Sequence, residues 1–278
     1  MKRFLVSAIA LLAVSTAVEA QINMPQPSPL QHIRQDFGMG RIEITYSRPS
    51  VKGRSMFKDN SDLAPLGKLW RTGANAATRI RFTDKVTIGG TTIDTGSYSI
   101  FTIPQKNEWE VIFNKNANAS VNDYKQSEDV VRVKAQPKSL KNTAENFTIQ
   151  VNNITNETAD LELMWGKTVV TVPIKTDVRD RLRGQLEAAL QSDRKPYFPA
   201  ANFYYEFDKN YDKALENVNK AIEASPKAFW MYMLKARIQK DMGDKAGART
   251  TAQQVVTLAT EQKNDDYVRM ANDLMKKI

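Results

Sequence analysis

Polar and apolar residues alternate with a period of two along much of the first two thirds of the chain. Ile42, Ile44 and Tyr46 interleave with Arg41, Glu43 and Thr45, the signature of a strand that buries one face. The same alternation places Ile80 and Phe82 beside Arg79 and Arg81. It recurs in Trp109, Val111 and Phe113, in Val131 and Val133, and in Phe147, Ile149 and Val151. Two more runs, Leu161, Leu163, Trp165 and then Val170, Val172, Ile174, complete the series. Turn chemistry separates them at Gly89-Gly90, Thr95-Gly96, Gln105-Lys106-Asn107 and Asn152-Asn153, and residues 86–94 form the clearest hairpin. Short strands without intervening helices predict an antiparallel β-sandwich or open barrel.

The period changes after Thr176. Val178, Leu182, Leu186 and Leu190 recur every four residues behind a cap at Thr176 or Asp177, which predicts an amphipathic helix. Beyond Pro196 and Pro199, Asn202 matches Ala236, Ala214 matches Ala248 and Ala221 matches Val255, all at an offset of 34 residues. That period belongs to helix-turn-helix repeats. Ala201, Tyr205, Ala214, Val218, Ala221 and Pro226 resemble the small, aromatic and turn positions of tetratricopeptide repeats. In the second copy Ala236 and Ala248 fit, while Gln239 replaces an aromatic and Thr260 a proline. Fewer than about three repeats do not make a free-standing solenoid, so the tail is expected to lean on the β-domain or on a partner. The fold class is therefore α+β with two domains: a sandwich-like domain over residues 31–175 and a helical, repeat-like domain over 176–278.

Residues 1–20 read as a secretion signal, with Lys2 and Arg3 before an apolar run and Val18-Glu19-Ala20 for cleavage. Residues 21–30, with Pro25, Pro27 and Pro29, read as an extended entry arm. An exported chain of about 258 mature residues, periplasmic or cell-surface associated and without a membrane span, is the expectation. With no cysteine, disulfides, thiolate metal sites and cysteine nucleophiles are excluded. The net charge of +9 favours acidic partners: anionic small molecules, glycans, lipid headgroups or proteins, rather than nucleic acid in such a compartment.

Positive charge is concentrated. Between Arg48 and Lys85 there are nine Lys or Arg residues against three Asp. Arg48, Lys52, Arg54, Trp70, Arg71 and Asn75 form the candidate ligand-binding set: guanidinium groups offer paired donors for carboxylate or phosphate, and Trp70 offers a ring for a guanidinium or a sugar. The structural alternative has Arg48 and Arg71 pairing with Asp36, Asp59 or Asp62 to pin loops.

The motifs Tyr46-Ser47-Arg48-Pro49, Lys52-Gly53-Arg54, Gly67-Lys68 and Trp70-Arg71-Thr72-Gly73-Ala74-Asn75 with Thr78 occur in order. Gly96, Tyr98-Ser99, Phe101-Thr102-Ile103-Pro104, Trp109, Ile112-Phe113-Asn114 and Val172-Pro173-Ile174 follow. Together they resemble a secreted bacterial domain of unknown function, number 2911, across residues 28–174. The resemblance implies export, and in some members a helical C-terminal extension. It brings no activity, ligand or cofactor.

Other chemistry is sparse. His32 is the only histidine, which excludes a multi-histidine zinc site; it reads as solvated. Asp59 with Asp62 and Glu128 with Asp129 lack the glycine of a calcium loop and read as exposed charge. Gly89-Gly90 lacks the strand-to-helix setting of a phosphate loop, and the glycosylation-like triplets at Asn118, Asn146, Asn153 and Asn156 read as accidental. Phe198, Phe203, Tyr204, Phe207, Phe229, Trp230 and Tyr232 in the tail read as packing residues, with a peptide groove as the alternative. The sequence thus points to an exported, non-catalytic binding or scaffolding protein without a cofactor or metal. The alternative is a hydrolase or isomerase in which a carboxylate or lysine works beside Arg71 and Asn75. A purely structural role of both basic clusters is the third reading.

Overall fold

The computed structural model describes residues 24–278; the expected secretion signal at residues 1–20 lies outside them. Ten strands form two antiparallel sheets. The larger has the order β1-β2-β3-β6-β7-β8 and the smaller β5-β4-β10-β9. The strands are β1 Leu30–Phe37, β2 Gly40–Ser47, β3 Ala74–Phe82, β4 Val86–Ile88, β5 Thr91–Ile93, β6 Gly96–Ile103, β7 Trp109–Asn114, β8 Asp129–Ala135, β9 Lys138–Asn152 and β10 Thr158–Lys175. The sheets do not close on each other, so of the two all-β forms expected the protein adopts the sandwich. Inward alternation in both sheets supplies one core, in which Ile42, Ile44, Ile80, Phe82, Phe113, Phe147, Leu161 and Val172 are almost fully buried. Gly89 and Gly90 both take left-handed backbone angles and close the β4–β5 hairpin as a turn that suits its twist.

Four strands depart from the sequence reading: β6, buried on both faces over Tyr98–Thr102, carries no alternation and was not read as a strand, and three others differ in extent. β1 extends over what was read as the end of the entry arm. Its inward positions are Gln31, Ile33, Gln35 and Phe37, and the two glutamines hide the alternation. Leu161–Trp165 and Val170–Ile174 belong to one strand, β10, which bends at Gly166 (φ 58°), where the pairing with β9 shifts register. β9 begins at Lys138, well before Phe147; its first half is mostly exposed and has only Leu140 and Ala144 as apolar residues, too few to show alternation.

Six α-helices follow: α1 Arg179–Leu190, α2 Tyr197–Glu206, α3 Tyr211–Ala224, α4 Phe229–Asp241, α5 Lys245–Glu261 and α6 Asp265–Lys276. The cap residues of α3 and α5, Asn210 and Asp244, keep the 34-residue offset, and each accepts from the backbone N–H three residues on. Asn264 does the same for α6. Gln239, which breaks the repeat pattern, is buried. It donates to Asp244 at 3.0 Å and accepts from Thr251 at 2.6 Å, so a polar link replaces aromatic packing between α4 and α5.

The tail does lean on the β-domain. Thr176 donates from Oγ1 to the Lys85 carbonyl at 3.1 Å, while Asp177 accepts from Arg179 N at 3.3 Å. The Arg181 guanidinium grips both oxygens of Asp84, the Nη1–Oδ1 distance being 3.0 Å. That fork holds the Asp84 carboxyl below its usual range. Among the described residues no helix is long and apolar enough to cross a membrane.

Candidate functional site

Residues 70–73 and the first residues of β3, 74–78, form a tightly held loop and strand entry. Trp70 pairs with Thr102 through two backbone bonds of 2.8 and 2.9 Å, and Thr78 N then donates to the Arg71 carbonyl at 3.1 Å, closing the loop. Inside it Thr72 (φ 54°) and Asn75 (φ 60°) both lie in the left-handed region, a strain that non-glycine residues carry only where the surroundings enforce it. Thr72 is held by its hydroxyl, 3.2 Å from that of Thr102, and by Thr78, whose hydroxyl donates to the Thr72 carbonyl. Gly73 lies so close to strand β2 that a Cβ would stand 3.0 Å from the Ser47 carbonyl. The Asn75 carbonyl accepts from Arg71 Nη1 at 2.8 Å, and its amide donates to Ser47 Oγ at 3.3 Å.

A second loop faces this one. Phe57 N donates to the Ala64 carbonyl at 3.0 Å, and the Ser61 hydroxyl donates to the Ser55 carbonyl at 2.7 Å. Phe57 thereby enters an aromatic cluster, 4.6 Å from Trp109 and 6.1 Å from Trp70 and Trp165. Between the two loops lies a cleft of about 300 Å³, lined among others by Pro49, Asp62, Leu63, Trp70, Arg71, Asn75 and Trp165. Trp165 is 2% exposed, yet its indole N–H has no hydrogen-bond partner. A buried donor without an acceptor is costly, and this one belongs to a residue of the cleft wall.

The six residues singled out from sequence do not form one rim. Arg71 and Asn75 meet at the cleft, where the guanidinium keeps N–H groups without a partner among the described residues. Trp70 also borders it, but as core: it is 6% exposed, stacks on Trp165 at 5.5 Å and donates from Nε1 to the Gly73 carbonyl at 3.1 Å. An exposed stacking face is therefore not what it offers. Arg48 turns to β9 instead, donating to the Phe147 carbonyl and to Thr148 Oγ1 at 3.0 and 2.7 Å. Arg54 closes its own turn on the carbonyls of Ser50 and Val51. Lys52, at φ 45°, is anchored by its backbone N–H to Glu145 at 2.8 Å. The pinning foreseen for Arg48 and Arg71 is thus done on carbonyl oxygens, not on Asp36, Asp59 or Asp62.

Trp165 and Asp62 were missed as cleft residues. Alternation marks Trp165 as inward-facing, and nothing in the sequence distinguishes an indole that packs from one that also lacks an acceptor. Asp129, read as solvated, is the centre of a network: it accepts from Asn114, Tyr124 and Arg132 at 2.9, 2.7 and 2.8 Å. Burial, followed by the Asp129 bond, pushes the Tyr124 phenol up to about 12. His32 sits on β1 with Nδ1 3.0 Å from Thr45 Oγ1. Among the described residues no three His, Cys, Asp or Glu side chains are placed to hold a metal ion. In the tail, Phe203, Tyr204 and Phe229 are buried, whereas Trp230 is 41% exposed. Leu182, Leu186, Pro196, Pro199, Phe203 and Phe207 border an apolar hollow of about 440 Å³ between α1 and α2.

A sandwich carrying such a cleft and followed by tetratricopeptide-like helices defines an α+β protein of two parts. The chain belongs to the family of proteins of unknown function DUF2911, whose model matches residues 28–174. Residues 190–269 are similar to the N-terminal acetyltransferase A auxiliary subunit family. No curated protein matches the chain.

Proposed function

We propose that this is an exported, non-catalytic binding and scaffolding protein of the bacterial envelope. Its β-domain takes an anionic or sugar-like ligand in the Arg71 cleft, and its helical tail docks a protein. The observation that carries the ligand reading is the exposed Arg71 guanidinium, which beyond its bond to the Asn75 carbonyl keeps N–H groups without a partner among the described residues, at a cleft of about 300 Å³. The free N–H groups of a guanidinium suit a carboxylate, a phosphate or a sugar oxygen. For acid–base chemistry a carboxylate or lysine would have to be withdrawn from water beside Arg71. The cleft's carboxylate, Asp62, is exposed. The hollow between α1 and α2 and the likeness to an auxiliary subunit, a protein that works in company, support docking through the tail.

The test is thermal shift with glucuronate, galacturonate, glycerol phosphate and inorganic phosphate. At least one probe should raise the melting temperature of the wild type and leave Arg71→Ala unmoved. Identical responses of the two proteins to every probe would overturn the assignment of the cleft.

A further inference from the structure

We propose a second binding site on the outer face of the six-stranded sheet, for a small organic carboxylate anchored by Arg79. The site adjoins the Arg71 cleft across the Ser47–Asn75 contact but shares no lining residue with it.

Arg79 stands in a cross-strand row, paired in register with Thr45 on β2 and Ser99 on β6. Its neighbour Arg81 is engaged by Glu43 at 3.2 Å, and Glu43 also faces Arg41 at 3.9 Å. Arg79, exposed on β3, has no acceptor among the described residues.

It borders a groove of about 360 Å³ whose walls are mostly apolar: Leu30, Ala76, Ala77, Ala117 and Ala119. The groove has a structural cause. Thr102 pairs with Trp70, so β3 pairs with β6 only from Thr78 onward, and Ala76 and Ala77 put only methyl groups on the groove. Ala119 meanwhile packs on Phe101 and Ile112, which props the loop at residues 117–120 above the sheet. Two low walls are left with a space between them.

The chemistry selects the ligand. No carboxylate lines the groove, and the acidic side chain beside it, Asp123, already accepts from Ser120 at 2.6 Å. A lone guanidinium offers paired N–H donors that match the two oxygens of a carboxylate. One positive charge balances one negative charge. A phosphate dianion would lose hydration against alanine and leucine without gaining a second cation, so the fitting ligand is a monoanion with an apolar body. The volume is that of a small-molecule site.

The experiment is calorimetric titration of the whole protein with phenylacetate, its neutral analogue phenylacetamide, and inorganic phosphate. Phenylacetate should bind more tightly than either of the others. Arg79→Gln should weaken it at least about tenfold, and Ala76→Leu, which fills the groove from an exposed position, should abolish it. Arg81→Gln and Arg71→Ala should leave it unchanged. Since Arg79 makes no bond in the fold, Arg79→Gln should melt at the wild-type temperature. If that variant is destabilised, Ala76→Leu decides alone. Absence of phenylacetate binding, equal binding by Arg79→Gln, phosphate binding as tight as phenylacetate, or indifference to Ala76→Leu would each overturn the proposal. Loss of the sugar-acid response in Arg71→Ala with phenylacetate binding intact separates the fate of this site from that of the cleft.

Discussion

Arg48 Nε donates to the Phe147 carbonyl at 3.0 Å across the gap between the two sheets. Its Nη2 adds a 2.7 Å bond to Thr148. Nearby, the Tyr46 hydroxyl accepts from Ile149 N at 2.8 Å and donates to Gln31 at 2.7 Å, and burial raises its pKa. The end of β2 is thus stitched to β9 by side chains that reach the partner's backbone. Arg48→Ala should lower unfolding stability by about 1–3 kcal/mol, read by denaturant titration. Arg54→Ala, which removes only bonds within an exposed turn, should change it by less than about 0.5 kcal/mol. Equal effects would refute the stitching role.

The stacked indoles Trp70 and Trp165 differ in one respect: the first has an acceptor for its N–H and the second does not. Trp70→Phe should cost about 1 kcal/mol more than Trp165→Phe in unfolding stability, because it also strands the Gly73 carbonyl.

Asp84 binds the Arg181 fork, and its carboxyl titrates below the ordinary value. A depressed carboxylate pKa contributes stability at pH above the unfolded value of about 3.9, and this is lost as pH falls through the lower folded value. Acidification below about pH 4 should therefore loosen α1 from the β-domain. Proteolysis at the junction after Lys175 would report it. Asp84→Asn should be cleaved faster than wild type at neutral pH and show little further change on acidification.

Tyr124 gives the opposite sign. Its folded pKa of about 12 exceeds the usual value near 10, so its contribution is complete below about pH 10 and fades as pH rises through the folded value. Tyr124→Phe should remove one late-titrating phenol from the tyrosinate absorbance curve and flatten the loss of stability in strong alkali.

Gly247 sits in the first turn of α5, where a Cβ would strike Asp244 Oδ2 and Gln239 Nε2. Ala is ordinarily the better helix former by about 1 kcal/mol, yet Gly247→Ala should destabilise the tail by about 1–3 kcal/mol. It has to displace both the cap of α5 and the buried amide that joins α4 to it. Helical circular dichroism on heating would show the change.

Much of the architecture was legible because alternation is a direct consequence of one-sided burial. β2, β3, β7 and β8 announce themselves, and the switch to a four-residue spacing marks α1. β1 was hidden by Gln31, an inward polar residue whose side chain accepts from the Tyr46 hydroxyl. The junction at Gly166 was hidden because a glycine that bends a strand looks like one that ends it. For the site, the motif around Arg71 and Asn75 led to the cleft. Distance in sequence concealed the rest: Trp165 comes from β10, and the turn of Arg48 towards β9 depends on a partner 99 positions along the chain. Composition locates charge, but which acceptor a guanidinium reaches is decided by folding.

The stitch at Arg48 also bears on an edge of the smaller sheet. β9 is an outer strand of its sheet, a position that presents open backbone groups to any passing strand. Residues 49–51 lie along it: Phe147 N donates to the Pro49 carbonyl and Val51 N to the Glu145 carbonyl, both at 2.8 Å. Towards its start the strand carries Lys138 and Lys141, charges that discourage pairing. A few residues that read as a basic loop thus cover part of an open sheet edge, and Arg48→Ala is expected to aggregate more readily than wild type, as light scattering would show.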